Sequence, residues 1–397
     1  MSEWKNYCIG DLCSTISNTY NGSDDKVVLI NTSDVLDGKV LNHNFVENKN
    51  LKGQFKKTFI KNDILYSEIR PANKRFAFID FDKTNNYIVS TKLMVLRPDT
   101  TKVLPSFLFS ILKSQTVIDE LQHMAETRSG TFPQITFSSE LAPMKVLLPN
   151  LDIQAKIVSI LNSIEEKIST NTAINNNLEQ QAQAIFKQIF SDISEDDLPS
   201  NWHKGTIGEI IELHDSKRVP LSGQQREKMK QKIYPYYGAT SLMDYVDDYI
   251  FDGIYLLLGE DGTVIDTKGF PILQYVWGKF WVNNHAHILT GKNGFNVESL
   301  YLLFRQLSIK SIITGAVQAK ISQTNLKSLE VIIPPIEVIE NLNDKIKPLF
   351  SQIRSNLDEN KVLTQLRDTL LPKLMNGEID VSEVDISTDK LLFSEEK

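Results

Sequence analysis

The sequence predicts an α+β protein in which two mixed α/β domains alternate with two long helices. Three observations support this class. The chain has 397 residues, which is too many for one ordinary hydrophobic core. Segments that open and close the first half of the chain recur in the second half. Residues 152–190 and 336–375 carry apolar side chains at steps of three and four, the spacing of a helix with one narrow apolar seam.

The internal repeat defines two blocks. Residues 4–12 recur as residues 202–210 at an offset of 198, and residues 146–149 recur as residues 331–334 at an offset of 185. The sequences between these segments differ. Because the matches fall at both ends of both blocks, chance is an improbable explanation. We interpret the blocks as one domain frame used twice and filled with different sequences.

Each block alternates short strand-like runs with turn signals such as Asp37-Gly38 and Asp261-Gly262. Helical patterns occur at 104–124 and 296–312. The predicted strands are 27–30, 64–66, 76–79, 87–89, 94–96, 255–258, 272–275 and 286–289. Each block is therefore predicted to be a mixed α+β domain.

The two long helices are expected to pair. A single helix with such a seam would expose a long apolar stripe, so we expect the seams to cover each other as an antiparallel coiled coil with a domain at each end. The resulting boundaries are 1–150 and 196–335 for the domains, 151–195 and 336–377 for the helices, and 378–397 for an acidic tail.

Both seams are interrupted at their centres by asparagines. Asn171 and Asn175 break the first seam, and the offset of 185 carries them onto Asn356 and Asn360. If the middles of the helices are opposed, these side chains can hydrogen-bond and fix the register of the pair. The alternative is that the middles are exposed and the asparagines are solvated. In both cases a single helix would expose its apolar stripe, so we expect the helices to pair and the two halves to form a pseudo-two-fold repeat.

The composition excludes several classes of protein. Hydrophobic residues make up 41% and charged residues 23%, which excludes a collagen-like or wholly disordered chain. No run approaches the roughly 20 apolar residues of a membrane span, and the first residues lack the apolar core of a secretory signal. Cys8 and Cys13 form neither a disulfide framework nor a CxxC pair for zinc. We expect a cytoplasmic, soluble chain with no metal site and no membrane contact.

The net charge of −7 is unevenly distributed. Residues 1–150 carry 18 basic and 16 acidic side chains, and residues 201–334 carry 14 and 13, so the acidic excess lies in the helices and the tail. Affinity for DNA depends on the phosphates neutralised locally rather than on the total charge. The net charge is therefore weak evidence against nucleic-acid binding.

The order of block, long helix, block and long helix, together with three strings, resembles the specificity subunit of type I restriction–modification systems. In chain order the strings are residues 148–157, which join the first domain to its helix, residues 198–202 with 207–209, which open the second block, and residues 234–239 followed by 247–253 within it. The second junction, residues 333–340, departs from the family pattern because it lacks a counterpart of Gln154. A partner contact by that side chain is therefore not implied for the second half.

The resemblance implies a division of labour. Each block would be a target-recognition domain that reads one half of a split, asymmetric site in double-stranded DNA. The helices would fix the gap and dock two adenine methyltransferase (modification) subunits, which restriction subunits can join to form a nuclease. The chain itself would hold no cofactor, and S-adenosylmethionine, ATP and Mg²⁺ would bind to the partner subunits. Different sequences on one frame suit this role, because base-edge contacts come from particular side chains.

The residues do not supply an enzyme's motifs. The sequence has no Asn-Pro-Pro-aromatic or Phe-x-Gly-x-Gly motif of a methyltransferase and no Gly-x-Ser-x-Gly elbow, and its glycine-rich turns lack Walker spacing. Asp63 with Arg70, and His285 with His287, fit structural roles better than a nuclease or metal site, because no acid or Cys cluster is evident beside the histidines. We expect a non-enzymatic chain. The alternatives are a silent or scaffold variant of such a subunit and, third, a stand-alone nuclease or methyltransferase.

Basic and amide side chains are the candidates for DNA contact. Phosphate contacts need Lys or Arg, and base readout favours Arg for guanine and Asn or Gln for adenine. The loops at 70–75 and 217–218 are favoured, and the alternative for each residue is an ordinary solvated face. The candidates are Arg70, Lys74, Arg75 and Arg128 in the first block and Lys217, Arg218, Arg226, Gln318 and Lys320 in the second.

Overall fold

The computed structural model consists of two compact units. The first comprises Met1–Ser169 and Asn360–Lys397, and the second comprises Thr170–Glu359. The predicted α+β class with two domains is confirmed. No helix among the described residues is long and apolar enough to cross a membrane. The structure describes residues 4–49, 51, 53–128, 131–190, 193, 198–199, 201–315 and 319–385.

The first unit contains two four-stranded sheets. One has the order β2-β11-β8-β9 and is antiparallel, and the other has the order β6-β3-β10-β7 with β3 and β10 parallel. The strands are β1 (Lys5–Cys8), β2 (Cys13–Ile16), β3 (Lys26–Ile30), β4 (Val35–Leu36), β5 (Lys39–Val40), β6 (Phe45–Glu47), β7 (Phe55–Lys57), β8 (Ile64–Ser67), β9 (Phe76–Phe78), β10 (Tyr87–Ser90), β11 (Leu93–Pro98) and β12 (Lys145–Leu148).

The helices of the first unit share its main core with the long helices. Ile64, Phe107 and Leu121 are buried in one cluster with Ile157 and Leu374. The helices are α1 (Ile9–Leu12), α2 (Pro105–Leu112), α3 (Gln115–Arg128) and the first part of α4 (Leu151–Phe190), and a π-turn occupies Phe137–Leu141. Asn150 caps α4, since its Oδ1 accepts from the backbone N–H of Ile153 at 3.0 Å.

The second unit is built on one six-stranded sheet of order β14-β19-β17-β18-β15-β16, in which only the β15–β18 pair is parallel. Its strands are β13 (His203–Thr206), β14 (Ile211–Leu213), β15 (Tyr234–Tyr237), β16 (Leu242–Val246), β17 (Phe251–Gly259), β18 (Leu273–Val282), β19 (Ala286–Gly291) and β20 (Glu330–Ile333). Its helices are α5 (Ile207–Ile210), α6 (Gly223–Glu227), α7 (Val297–Phe304), α8 (Gln323–Lys327) and the first part of α9 (Ile336–Met375).

The segments that recur in the sequence pair with each other inside each unit. In the first unit β1 is antiparallel to β12, with Lys5 opposite Leu148. In the second unit β13 is antiparallel to β20, with His203 opposite Ile333. These pairs are related by the offsets of 198 and 185. The repeated ends therefore form the same two-stranded closure in both units.

A glycine in the turn after each opening strand belongs to the same closure. A Cβ at Gly10 would lie 3.0 Å from the Cβ of Ala142, and one at Gly208 would lie 3.1 Å from the Cβ of Lys327. The helical turns α1 and α5 approach the segment before the closing strand so closely that a side chain has no room. This close approach explains why the Ile-Gly dipeptide occurs in both blocks.

The predicted elements overlap the observed ones, with differences at their ends. The run 255–258 is part of the longer β17, because its ladder with β18 extends from Phe251 opposite Phe280 to Leu258 opposite Leu273. The single helical pattern at 104–124 is two helices, α2 and α3. In the pattern at 296–312 the helix ends at Phe304, and a 3₁₀ turn follows at Lys310–Ile312.

The long helices α4 and α9 match the predicted seams closely. In the first unit Arg367 pairs with Glu165 at 3.0 Å, and the Asn360 side chain donates to the carbonyl of Ile168 at 3.5 Å. Residue numbers thus fall along α9 as they rise along α4, so the two segments in this unit are antiparallel. The α9 helix ends before Gly377, whose φ of +75° is the left-handed stop that glycine favours.

The second unit contains the same antiparallel arrangement with a polar contact at its start. Asn356 Nδ2 donates to Asn175 Oδ1 at 2.8 Å, and Asn171 Nδ2 donates to Glu359 Oε2 at 2.7 Å. Asn171, Asn175 and Asn356 are buried, whereas Asn360, in the first unit, is half-buried. The sequence is compatible with a solvated or a buried polar middle, and in these contacts the amides bind each other and protein groups.

Replacing one asparagine should cost more than replacing both. Asn356→Ala leaves the buried Asn175 without its donor, and we expect the free energy of unfolding to fall by about 1–3 kcal/mol. The double variant Asn175→Leu/Asn356→Leu removes both amides and should recover most of that loss. Chemical denaturation of the unaltered chain, the single variants Asn175→Leu and Asn356→Leu and the double variant measures the coupling. Additive losses would contradict a direct amide pair.

Candidate nucleic-acid interface

Three segments of the first unit meet at the end of β8. The backbone N–H of Glu68 donates to the carbonyl of Lys92 in the β10–β11 turn at 3.1 Å, and the carbonyl of Glu68 accepts from Ile135 at 2.8 Å. The backbone N–H of Arg70 donates to the carbonyl of Pro133 at 3.1 Å. The loop after β8 is therefore held by hydrogen bonds on both sides, and its side chains project from a fixed backbone.

Arg70 and Lys74 flank a 3₁₀ turn at Pro71–Asn73, and both have left-handed backbones, with φ of 46° and 52°. Such angles are uncommon for residues with a side chain. The turn is anchored on α3, because the N–H of Ala72 donates to Gln122 Oε1 at 3.0 Å. Within the described part of the chain, the Arg70 and Lys74 side chains make no hydrogen bond or ion pair. Their charges are available to an external anion.

The other two candidates of the first unit already have protein partners. Arg75 Nη1 donates to the carbonyls of Ser33 and Val35, both at 3.3 Å. Arg128, at the end of α3, pairs with Glu140 at 3.1 Å. Sequence gives the position of a basic residue but not its partner, so the structure separates these arginines from Arg70.

Sequence reasoning missed Lys92. It is exposed on the β10–β11 turn beside the Arg70 loop, and its side chain has no partner among the described residues. The neighbouring Lys57 instead turns inward and donates to the carbonyls of Thr91 and Leu93 at 3.1 and 2.8 Å. Burial lowers the Lys57 pKa, Glu68 opposes this, and Lys92 adds to it. Lys92 is a single basic residue between two strands, and the sequence shows no group of basic residues there that would indicate DNA contact.

The second unit repeats this backbone arrangement around Glu260. Its N–H donates to the carbonyl of His285 and its carbonyl accepts from Ile321, both at 2.8 Å. Glu260 therefore occupies the place that Glu68 has in the first unit, at the root of the loop after β17. The sequence alone does not reveal that Glu68 and Glu260 correspond, because the middles of the two blocks are too dissimilar to align.

The Glu260 side chain belongs to a buried ionic network, which we call the loop-root network: Asp215, Arg218, Glu260 and His287. Arg218 pairs with Glu260 at 2.7 Å and with Asp215 at 3.5 Å, and His287 Nδ1 lies 2.6 Å from Asp215. Burial alone would raise the pKa of Asp215, but hydrogen bonds from His287 and the backbone of Ile288, with nearby Arg218, lower it below its usual value. Both carboxylates of the network are thus bound by protein groups within it.

The surroundings of Arg218 therefore indicate that it stabilises the fold. Its side chain is 13% exposed, and Nη1 also donates to the carbonyl of Ala286 at 2.8 Å. Its neighbour Lys217 is exposed and has no partner in the described part of the unit. Lys320 is half-exposed and pairs with Glu260 at 3.6 Å. The loop expected at 217–218 therefore presents one cation rather than two.

Asp215, Glu260 and His287 place ligand atoms within 4.8 Å of one another, as a metal site would. The expectation that no acidic cluster lies beside the histidines was therefore wrong for His287. Both of its ring nitrogens are engaged, Nδ1 with Asp215 and Nε2 with the carbonyl of Ile321 at 2.8 Å. Arg218 supplies the positive charge that a cation would bring. The donor set fits a closed ionic network better than a metal centre.

The remaining candidates fall into two groups. Arg226 is bound to Asp244 at 3.2 Å and lies over the ring of Tyr236 at 4.9 Å, so it stabilises the fold around β15. Gln318 lies outside the residues that the structure describes. Among the predicted candidates that the structure describes, the side chains of Arg70 and Lys74 in the first unit and Lys217 in the second have no protein partner there, and Lys92 joins them as an addition from the structure.

Gln154, at the first domain–helix junction, is fully buried. Its Oε1 accepts from the N–H of Leu104 at 2.8 Å, and its Nε2 donates to the carbonyls of Lys102 and Pro149 at 3.0 and 2.9 Å. Because the Gln154 side chain is buried and both ends of its amide are hydrogen-bonded, it cannot contact a partner subunit in this structure. The offset of 185 places Ile339, a buried core residue, at the corresponding position of the second unit.

Comparison with known proteins gives a consistent result. Residues 1–180 and 199–365 match the family described as type I restriction modification DNA specificity domain. The type I restriction enzyme HindI specificity subunit of Haemophilus influenzae is 31% identical over 96% of this chain and 100% of its own length. The MjaIX specificity subunit of Methanocaldococcus jannaschii is 23% identical over 71% of each chain.

A solved structure shares the fold. The crystal structure of the type I restriction–modification S subunit from M. genitalium superposes with a TM-score of 0.58 at 18% identity, covering 94% of this chain and 96% of the other. At this identity the likeness concerns the fold alone.

Arg218→Met and Lys217→Met should differ sharply in stability. Removing Arg218 leaves the buried carboxylate of Asp215 and the half-buried carboxylate of Glu260 with less compensation, and we expect a loss of about 3–5 kcal/mol. Removing the exposed Lys217 should change the free energy of unfolding by less than about 0.5 kcal/mol. Thermal and urea unfolding of the two variants make the comparison. Equal stabilities would show that Arg218 is not part of a stabilising network.

Proposed function

The chain belongs to the type I restriction–modification DNA specificity family, and from this premise we propose that it is the subunit that selects the DNA sequence in such a complex. The observation that carries the proposal is the same backbone frame in both units, closed by β1–β12 and β13–β20, with different loops mounted on it. A constant frame with variable loops suits two readers of different half-sites.

In this proposal each unit reads one half of a split, asymmetric site in double-stranded DNA. In the first unit Arg70 is the candidate for base contact, since arginine binds guanine bidentately in the major groove. Lys74 and Lys92 would hold the neighbouring phosphates. In the second unit Lys217 and the half-exposed Lys320 would take the phosphate role.

The helices α4 and α9 would act as a spacer between the two readers. We propose that they form one antiparallel coiled coil with a domain at each end, arranged as a pseudo-two-fold repeat. The antiparallel contacts inside each unit and the Asn175–Asn356 bond support this arrangement. A stiff spacer of fixed register would set the number of unread base pairs between the half-sites.

The same helices would dock two adenine methyltransferase subunits, and restriction subunits would join to complete an endonuclease. S-adenosylmethionine, ATP and Mg²⁺ would bind to those partners. We assign this chain no catalytic step, and we place the complex in the cytoplasm. The chain would supply sequence choice and geometry, and its partners would supply the chemistry.

Mapping methylated adenines tests the proposal directly. Genomic DNA from cells that express the methyltransferase partner with this chain should carry a split motif with one fixed gap, and cells without the chain should lack it. A silent or scaffold subunit predicts no difference between the two genomes. A stand-alone enzyme predicts modification by the purified chain without the partner.

Arg70→Ala should relax one position of one half-site, because a base-reading arginine contributes about 1–3 kcal/mol of discrimination. Lys217→Ala should weaken binding of all sequences and reduce the salt slope by about 1. Binding of the assembled complex to a panel of single-substituted sites measures both effects. Lys61→Ala is the control, since Lys61 pairs with Asp82 near the opposite end of β8. Equal effects of Arg70→Ala on both half-sites would contradict the assignment.

A further inference from the structure

A buried polar cluster in the second unit joins the α+β domain to the long helix α9. Glu298 of α7, which is 5% exposed, accepts from Arg354 Nη1 at 2.8 Å and from the Tyr275 hydroxyl at 2.7 Å. Arg354 also donates to the oxygen of Tyr275. We call Tyr275, Glu298 and Arg354 the domain–helix cluster. A strand, a short helix and a long helix each contribute one of its side chains.

Further contacts extend the cluster to the other long helix. The Tyr301 hydroxyl donates to Glu179 of α4 at 2.9 Å, and Arg305 pairs with the same carboxylate at 3.5 Å. The rings of Tyr275 and Tyr301 pack on Phe350 of α9, with centroids 5.4 and 5.8 Å away. The second domain is thus tied to both helix segments of its unit by directional contacts.

One more contact lies at the edge of this region. The indole N–H of Trp277 donates to the carboxylate of Asp358 on α9 at 3.1 Å. Trp277 and Tyr275 both lie on β18, and their rings are 5.8 Å apart. Strand β18 pairs along its length with β17, which leads into Glu260, the partner of Lys320. The strand fixed to the helix is therefore the neighbour of the strand that leads to the candidate DNA contacts.

The domain–helix cluster is largely buried, so water screens its charges less than those of a surface ion pair. Burial and the nearby carboxylate of Glu298 raise the pKa of Tyr275, so its hydroxyl remains a neutral donor. A buried ionic group is weak support for stability, but it accepts few alternative geometries, because any displacement leaves a charge unpaired.

The ion pairs between domain and helices that the structure describes in the first unit are more exposed. Lys113 pairs with Glu165 of α4 at 3.5 Å, and Arg367 of α9 pairs with the same carboxylate at 3.0 Å. The Glu165 side chain is 38% exposed, so water screens these pairs and they restrict orientation less. In the first unit the buried polar contact between domain and helix is instead the uncharged amide of Gln154, which binds the backbone of Lys102 and Leu104. The buried ionic attachment is thus a feature of the second unit.

We infer that the domain–helix cluster is a positioning device that fixes the orientation of the second recognition domain on the helices and so enforces the gap of the split DNA site. The inference rests on the proposed function. Arg354, Glu298 and Tyr275 contact no DNA in this account and act through the domain that carries Lys217 and Lys320. A tilt of the domain on the helices would shift these two side chains along the DNA, where successive base pairs lie about 3.4 Å apart.

The test is a map of adenine methylation by the assembled methyltransferase with the double variant Glu298→Gln/Arg354→Met. This change removes both charges together and so leaves neither unpaired. We expect the same half-site bases but new modification at gaps one base pair longer and shorter, at about a tenth of the level at the original gap, which corresponds to about 1.4 kcal/mol. Arg354→Lys keeps a charge at this position and should restore part of the strictness.

Two further variants make the outcome decisive. Lys113→Met breaks the exposed contact of the first unit and should leave the gap unchanged. Trp277→Phe loses only the peripheral bond to Asp358, so it serves if the double variant does not fold, and it should relax the gap in the same direction. A folded variant that keeps the original gap, or that loses all gaps equally, overturns the inference. Absence of a split motif with the unaltered chain would instead refute the proposed function.

Discussion

The pairing of the first strand of each block with its last strand is the constraint on which the rest of the structure depends. In both units this antiparallel pair closes the block, positions a helical turn whose glycine allows close approach, and delivers the chain into a long helix. Since the closure needs only the ends of the block, the sequence between them is free to change. One frame can therefore carry two different sets of loops.

The basic residues show why DNA contacts cannot be assigned from composition alone. The sequence predicts Arg218 and Arg226 as DNA contacts, but Arg218 pairs with acidic residues inside the fold and Arg226 pairs with Asp244. Arg70 has an unusual backbone angle and no partner among the described residues. Charge near a loop is common, whereas charge held in place without a protein partner is what an anionic ligand requires.

Much of the fold could be predicted from the sequence because it depends on periodicity. The seams of α4 and α9 and the short strands are local patterns. The repeated ends of the blocks are recognisable because both pairs of ends form the same closely packed contact. The site was harder to predict because it depends on contacts distant in sequence. Lys92 reaches the Arg70 loop only through strand pairing, and the equivalence of Glu68 and Glu260 rests on backbone hydrogen bonds that no alignment of the dissimilar middles shows.

The central claim is that each unit reads its own half-site on a common frame. Replacing the middle of the first block by that of the second, while keeping the shared end segments, tests it most directly. Two-fold protein symmetry is mirrored in a palindromic site. Methylation mapping should therefore yield an inverted repeat of the second half-site with the original gap. A motif that retains the first half-site, or an unsplit motif, would contradict the account.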